Sequence, residues 1–220
     1  MKAIDIHAHI PRMPGLSEYG IESGLRQMFR MSDDLISVEK MVETYRAIDT
    51  MAVIFSVDAE TETGDLPDPN DYVAKTVDAY PDVFMGFCSV DPRKGKAAVE
   101  ELERSVLSLG LRGLKLHPIH QAFFPDDPAF SPLFSKAEEL EIPVLMHSGY
   151  AAAGANMQGG DGFELAYSRP IPHVDSLAAR HPDLTIIMAH PAWPWIQEQI
   201  AVALHKANVF IDLSGWAPRY

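Results

Sequence analysis

Short apolar runs alternate along the chain with longer stretches in which apolar residues recur every three or four positions. The apolar runs are Ala3 to Ile10, Ala52 to Val57, Val83 to Val90, Leu111 to Leu116, Ile142 to Met146, Leu184 to Ala189 and Asn208 to Leu213. Each is the length of a buried strand and too short for a core helix. Between them, Ser37 to Ile48 carries Val38, Met41, Val42, Tyr45 and Ile48 at helical spacing. Asn70 to Tyr80, Gly95 to Leu109, Phe130 to Leu140, His173 to Arg180 and Trp195 to Lys206 repeat that pattern. Strand, helix, strand in repetition predicts βαβ units and a parallel sheet, with strands apolar on both faces because helices cover both sides.

A (β/α) barrel and an open doubly wound sheet both fit this order. A dinucleotide-binding sheet usually carries a glycine-rich turn after its first strand. Here that strand ends in His7-Ala8-His9-Ile10-Pro11. No linker, repeat or charge block divides the chain, so residues 1–220 are read as one domain. The Pro/Gly-rich pieces Pro11 to Gly24, Thr63 to Pro69 and Ala151 to Gly162 follow strands, and long loops at that end are often functional.

Composition narrows the function classes. The chain has 220 residues and a net charge of −13, with 47% hydrophobic and 22% charged residues. This is a globular composition, and the acidic balance argues against a nucleic-acid partner. No apolar run reaches the roughly 20 residues of a membrane span, and the N-terminus has no signal-peptide core. One cysteine, Cys88, makes no disulfide framework and is read as a small buried residue in a reducing, cytoplasmic setting.

Candidate chemistry gathers at the strand ends. Alternation along a strand puts Asp5, His7 and His9 on one face. His147 ends the run Pro143-Val144-Leu145-Met146, and His190 ends Ile186-Ile187-Met188-Ala189. In a parallel sheet these ends lie on one edge, so the histidines line one pocket suited to a divalent ion. Lys115 and His117 share a face at the end of Gly113-Leu114-Lys115-Leu116-His117. A lysine there either binds a substrate carboxylate, becomes a carboxylated metal bridge, or snorkels to solvent. Arg169 suits carboxylate recognition, and Trp193 suits an apolar or aromatic wall, although either could be an ordinary surface or packing residue. His120, His173, His181 and His205 fall in loops or helices and are read as solvated.

These motifs resemble the amidohydrolase-related family of metal-dependent TIM barrels. The residues that carry the likeness are Asp5-Ile6-His7-Ala8-His9, Gly113-Leu114-Lys115-Leu116-His117-Pro118, and Pro143-Val144-Leu145-Met146-His147-Ser148-Gly149. Ser168-Arg169-Pro170 and Ala189-His190-Pro191-Ala192-Trp193-Pro194-Trp195 complete it. The family includes hydrolases and non-oxidative decarboxylases, such as those similar to aminocarboxymuconate-semialdehyde decarboxylase. The resemblance implies a (β/α)8 barrel with about seven of its eight strands in this chain. It implies one divalent ion, zinc first, with manganese or iron as alternatives, held by His7, His9 and His147. His190 would be the catalytic histidine, and Lys115, His117, Arg169 and Trp193 would contact the substrate. The expected reaction is attack of activated water on a small carboxylated or cyclic substrate; the alternative is decarboxylation of an aromatic or dienoic acid. The family's Asp at the end of strand eight is expected to be missing here, since Asp212 reads as part of strand seven. A TatD-like metal nuclease and a non-catalytic binding barrel are the readings from other classes. The partner is then a small molecule, with neither nucleic acid nor membrane, and a homodimer is a common assembly for such an enzyme.

Overall fold

The computed structural model describes residues 1–17 and 36–215. The far part of the Pro11 to Gly24 loop and the last five residues lie outside the described residues. The strands are β1 (Ala3–His9), β2 (Thr50–Phe55), β3 (Phe84–Gly86), β4 (Cys88–Ser89), β5 (Leu114–Leu116), β6 (Val144–His147), β7 (Ile186–Ala189) and β8 (Val209–Ile211). All neighbouring pairs are parallel, in the orders β1-β2-β3 and β4-β5-β6-β7-β8. β3 and β4 are two pieces of one strand. Phe87 N–H donates to Ile54 O (3.0 Å), and Cys88 N–H then donates to Gly113 O (2.8 Å), so pairing passes from one side to the other. Counted that way, seven barrel strands follow one another among the described residues, as the apolar runs predict.

The longer helices are α1 (Val38–Ala47), α2 (Asn70–Ala79), α3 (Lys96–Leu107), α4 (Ser131–Glu139), α5 (Asp175–Arg180) and α6 (Ile196–His205). Each falls inside a stretch of 3–4 spacing. α1 starts where Ser37 Oγ accepts the Lys40 N–H at 3.2 Å, satisfying one of the first-turn donors.

Strand alternation divides the interior into two cores. Ala52, Ile54, Leu114, Leu116, Val144, Met146, Ile186 and Met188 face the helices in the larger cluster. Val53, Phe55, Phe87, Leu145 and Ala189, with Ile6, Met85 and Ile187 against them, form a second cluster inside the curled sheet. Lys115, His117 and His147 alternate with the outward residues and so belong on the inner side. The long, charged side chain of Lys115 therefore stands in the barrel interior, 1% exposed.

β1 departs from simple alternation. Its register with β2 shifts between Asp5 and Ala8. Such a bulge adds one residue and exchanges the faces of the residues beyond it. Asp5 is turned outward, where its carboxylate accepts from Tyr45 Oη of α1 (2.7 Å) and from His7 N–H (3.0 Å). The expectation that Asp5 shares a face with His7 and His9 is corrected by this bulge, which leaves the two histidines together without the aspartate.

Candidate active site

Four imidazoles meet at the carboxyl ends of the strands. Ring centroids lie 5.5 Å apart for His7 and His9, 4.6 Å for His7 and His190, and 4.9 Å for His147 and His190. His9 opens to solvent, while the side chain of His7 is 4% exposed. His7 and His9 lie beyond the bulge, and His147 completes the inward series of β6. His190 needs a different device, because it directly follows the inward Ala189. Its backbone takes φ +68°, a left-handed conformation uncommon for a side-chain-bearing residue, and this turns the ring back into the mouth.

The hydrogen bonds fix where the ring protons sit. His7 Nδ1 donates to Asp212 Oδ2 at 2.7 Å. His190 Nδ1 lies 3.0 Å from Ser214 O, and His147 Nε2 lies 3.1 Å from Tyr150 O. A carbonyl only accepts, so the proton sits on the named nitrogen and the other nitrogen carries a lone pair. His7 Nε2, His147 Nδ1 and His190 Nε2 are thus the open bases of the cluster. Burial and mutual repulsion keep them neutral: His7 is lowered to about 4, and His147 and His190 are also lowered, burial being the largest cause in each case. Neutral imidazoles with oriented outer nitrogens have the donor chemistry that a divalent ion requires. Among the described residues, no three His, Cys, Asp or Glu donors yet converge at coordination distance.

Lys115 lies beneath this cluster with its Nζ 5.0 Å from the Phe55 ring centroid. Burial pushes its pKa down to about 7, opposed by the charge of Asp212. His117 is stacked between two other rings, 3.9 Å from His147 and 3.5 Å from His120. Trp193 is half exposed beside Tyr150, with centroids 5.7 Å apart. Arg169 is engaged outside the cluster, where its guanidinium grips Glu198 through contacts of 2.7 to 3.2 Å. Cys88 is buried, and burial raises its thiol to about 12, in keeping with a packing role.

Three expectations need correction. His120 and His181 are buried and not solvated. His181 meets Glu138 at 3.0 Å, and His173 meets Asp126 at 2.6 Å, so only His205 of that group is an exposed surface residue. Asp212 is not inside the last strand: β8 stops at Ile211, and the aspartate turns into the mouth to orient His7. Its position directly after an apolar strand is the available signal, the same one that marks His147 and His190. Ser214, two residues on, cannot be read from any motif.

Two glycines allow the loops to close over these rings. A Cβ on Gly149 would stand 2.5 Å from Ala192 Cα and 2.9 Å from Trp193 O, and Gly149 has φ +81°. Left-handed backbone costs a side-chain-bearing residue about 1–2 kcal/mol, and backbone atoms cannot yield as a flexible side chain does. Gly149→Ala is expected to destabilise the fold by about 3 kcal/mol, read as a lower urea midpoint. A Cβ on Gly215 would meet the His190 ring at 2.5 Å, so that glycine lets the segment after β8 lie flat against the histidine.

Comparison with known proteins agrees with this fold. A curated 2-amino-3-carboxymuconate-6-semialdehyde decarboxylase from Dictyostelium discoideum is 32% identical over 78 residues, 36% of this chain and 22% of that protein. A 2-keto-4-carboxy-3-hexenedioate hydratase from Sphingobium sp. is 33% identical over 87 residues, 36% of this chain and 25% of the hydratase. The aligned parts thus span a quarter or less of those relatives. An uncharacterized TIM-barrel protein from Bordetella bronchiseptica superposes with TM-score 0.74 at 26% identity, covering 94% of this chain and 73% of that one. A 5-carboxyvanillate decarboxylase from Novosphingobium aromaticivorans, crystallised with bound manganese, shares the fold at TM-score 0.64 and 18% identity, covering 92% of this chain and 68% of that one. The family described as Amidohydrolase matches residues 4–220, nearly the whole chain. With its histidines at the strand ends of a parallel barrel sheet, the chain belongs to the amidohydrolase family.

Proposed function

We propose that the protein is a metal-dependent hydrolase in which water attacks a small carboxylated or cyclic substrate and cleaves a bond of it, the proton of the water going to a base and the leaving group departing protonated. His190 would be its proton acceptor. The observation that carries this reading is the proton arrangement at His190. Its Nδ1–H is used on Ser214 O at 3.0 Å, and its bare Nε2 belongs to a neutral ring packed against His7 and His147. A neutral, oriented imidazole is a general base, and such a base contributes typically about 10²- to 10⁴-fold. His7, His9 and His147 would hold one divalent ion, zinc first, with manganese or iron also suited to an imidazole set. When bound, that ion supplies Lewis acidity, which polarises a carbonyl and makes water more acidic.

Lys115 supports a carboxylated substrate. It is a buried amine poised near neutrality, and a carboxylate entering the mouth would draw it to the charged form. His117 and Trp193 would line the substrate's flanks. Arg169 could join them only by leaving Glu198. The buried lone thiol of Cys88 is compatible with a reducing, cytoplasmic setting.

Decarboxylation is the second reading, favoured by the several decarboxylases among the similar curated proteins. There a proton replaces the carboxyl group on carbon, and CO2 leaves. Turnover of lactone and aromatic carboxylates by the full-length, metal-loaded protein in ¹⁸O-water separates the two. The proposal expects ¹⁸O in the product, no CO2, and a loss in kcat of at least about 100-fold in His190→Asn with the ion retained. Release of CO2 without ¹⁸O uptake would replace it with the decarboxylase reading.

A further inference from the structure

Gln199 is a buried polar side chain beside the mouth that the proposed chemistry does not use. It is the fourth residue of α6 and is 1% exposed. Burying an amide is unfavourable unless both of its ends are paired. Here both are, and both partners belong to the turn that carries His190. Gln199 Nε2 donates to His190 O at 2.7 Å, and Gln199 Oε1 accepts from the Ala192 N–H at 2.9 Å. Pro191 stands between them and has no N–H to offer. The side-chain amide thus satisfies the backbone of this turn as a residue of a neighbouring strand would.

The conformation held by this grip is uncommon. His190 has φ +68°, and a side-chain-bearing residue persists there where its surroundings over-determine it. Ala189 faces the inner core, so an extended His190 would point the other way, out of the mouth. The left-handed turn is what brings its ring to 4.6 Å from the His7 ring. The contacts of His190 Nδ1 with Ser214 O and Oγ, 3.0 Å each, act on the ring once it is there. The two bonds to Gln199 act on the backbone that sends it there. The opposite side of the turn is closed by Gly149, where a Cβ would stand 2.5 Å from Ala192 Cα, and Tyr150 N–H donates to Trp193 O at 2.8 Å.

We infer that Gln199 is a positioning residue for His190. Its amide holds the His190–Ala192 backbone in the left-handed turn, and so keeps the imidazole in the mouth with its proton on Nδ1 and its Nε2 bare. Gln199 itself touches neither substrate nor ion. Misplacing a reacting group by about 1 Å can cost about 100-fold in rate, so a grip on the backbone of His190 bears on turnover without any contact with the reacting atoms. The catalytic importance of this grip rests on the proposed reading of His190 as the proton acceptor. Its effect on the ring does not.

The test is NMR of the full-length, zinc-loaded protein with ¹⁵N-labelled histidine rings, which reads the tautomer directly. In the wild type, the signal that disappears in His190→Asn is expected to show a protonated Nδ1 and a bare Nε2. Gln199→Met keeps the length and apolar bulk of the side chain and removes both bonds. In that variant the His190 signal is expected to move to the averaged pattern of a ring that carries its proton on either nitrogen. The Ala192 N–H should exchange with solvent about tenfold faster, the effect of losing one good hydrogen bond. Val202→Ala, three residues further along α6 and 1% exposed, is the control: it should lower the urea midpoint and leave both readings unchanged. A folded Gln199→Met with an unchanged His190 signal would overturn the assignment. So would an equal change in Val202→Ala, which would reduce Gln199 to helix packing. Unprotected exchange of the Ala192 N–H in the wild type would overturn it without any variant. A protein that gives the expected readings but turns over neither lactones nor aromatic carboxylates would leave the assignment standing and fail the hydrolase reading instead.

Discussion

Between pH 6.5 and pH 4 the metal-free fold is expected to lose about 5 kcal/mol of stability, enough to unfold a marginally stable domain. Two buried histidines set this figure. His7 is lowered from 6.5 to about 4, and His120 from 6.5 to about 3, in both cases chiefly by burial. Below pH 6.5 the unfolded chain takes up a proton on each ring, while the folded chain refuses it. Stability therefore falls as pH drops, by about 1.4 kcal/mol per pH unit for each histidine, until the folded pKa is reached. His117 and His147 are shifted in the same direction and add to the slope. Asp212 does not offset it, because its carboxyl is held at about 2 and its stabilising pairing with His7 is lost only as pH approaches that value. Urea midpoints measured at half-unit steps from pH 7.5 to 4 check this. A flat profile across that range would mean that these rings are solvated, and it would undo the burial on which the site depends.

Lys115→Met is expected to stabilise the metal-free fold by about 4 kcal/mol at pH 7 and to remove binding of carboxylated substrates. The lysine is 1% exposed inside the barrel, and burial lowers its pKa from 10.5 to about 7. From pH 10.5 down to 7 the unfolded chain holds a proton that the folded chain has lost, so folding is penalised by about 1.4 kcal/mol per pH unit. The penalty is absent above pH 10.5 and reaches its full size below 7. Methionine keeps an unbranched apolar stem and discards the amine, which lies 5.0 Å from the Phe55 ring centroid. The wild-type and variant urea midpoints should therefore converge as pH rises toward 10.5. A variant less stable than the wild type at pH 7 would show that the amine is paired in the fold. Such a cost is what the proposed role of Lys115, offering charge to a carboxylated ligand, would account for.

Much of this architecture is legible from residue order, and the parts that are not have identifiable physical causes. The seven strands and the helices between them arise from short apolar runs and 3–4 spacing, which burial on both faces of a parallel sheet enforces. His7, His9, His147 and His190 are legible as a group because parallel strands bring their carboxyl ends to one edge. The bulge in β1 is not, since a one-residue slip leaves no mark on composition, and it takes Asp5 out of the mouth. His120 reads as solvated because a histidine four residues beyond a strand has no fixed face until the turn Pro118–Gln121 folds its ring onto His117. The left-handed backbone at His190, and the Ser214 carbonyl that sets its tautomer, depend on a loop whose path residue types alone do not define.

The measurement that bears most directly on the central claim is the metal content of the full-length protein and of two variants, taken alongside turnover. The proposal predicts about one divalent ion per chain in the wild type, lost together with activity in His147→Ala. In His190→Ala the ion should stay and turnover should fall, because His190 is proposed to move protons and not to hold the ion. An ion-free wild type with full activity would contradict the proposal. So would a His190→Ala variant that loses its ion as completely as His147→Ala does.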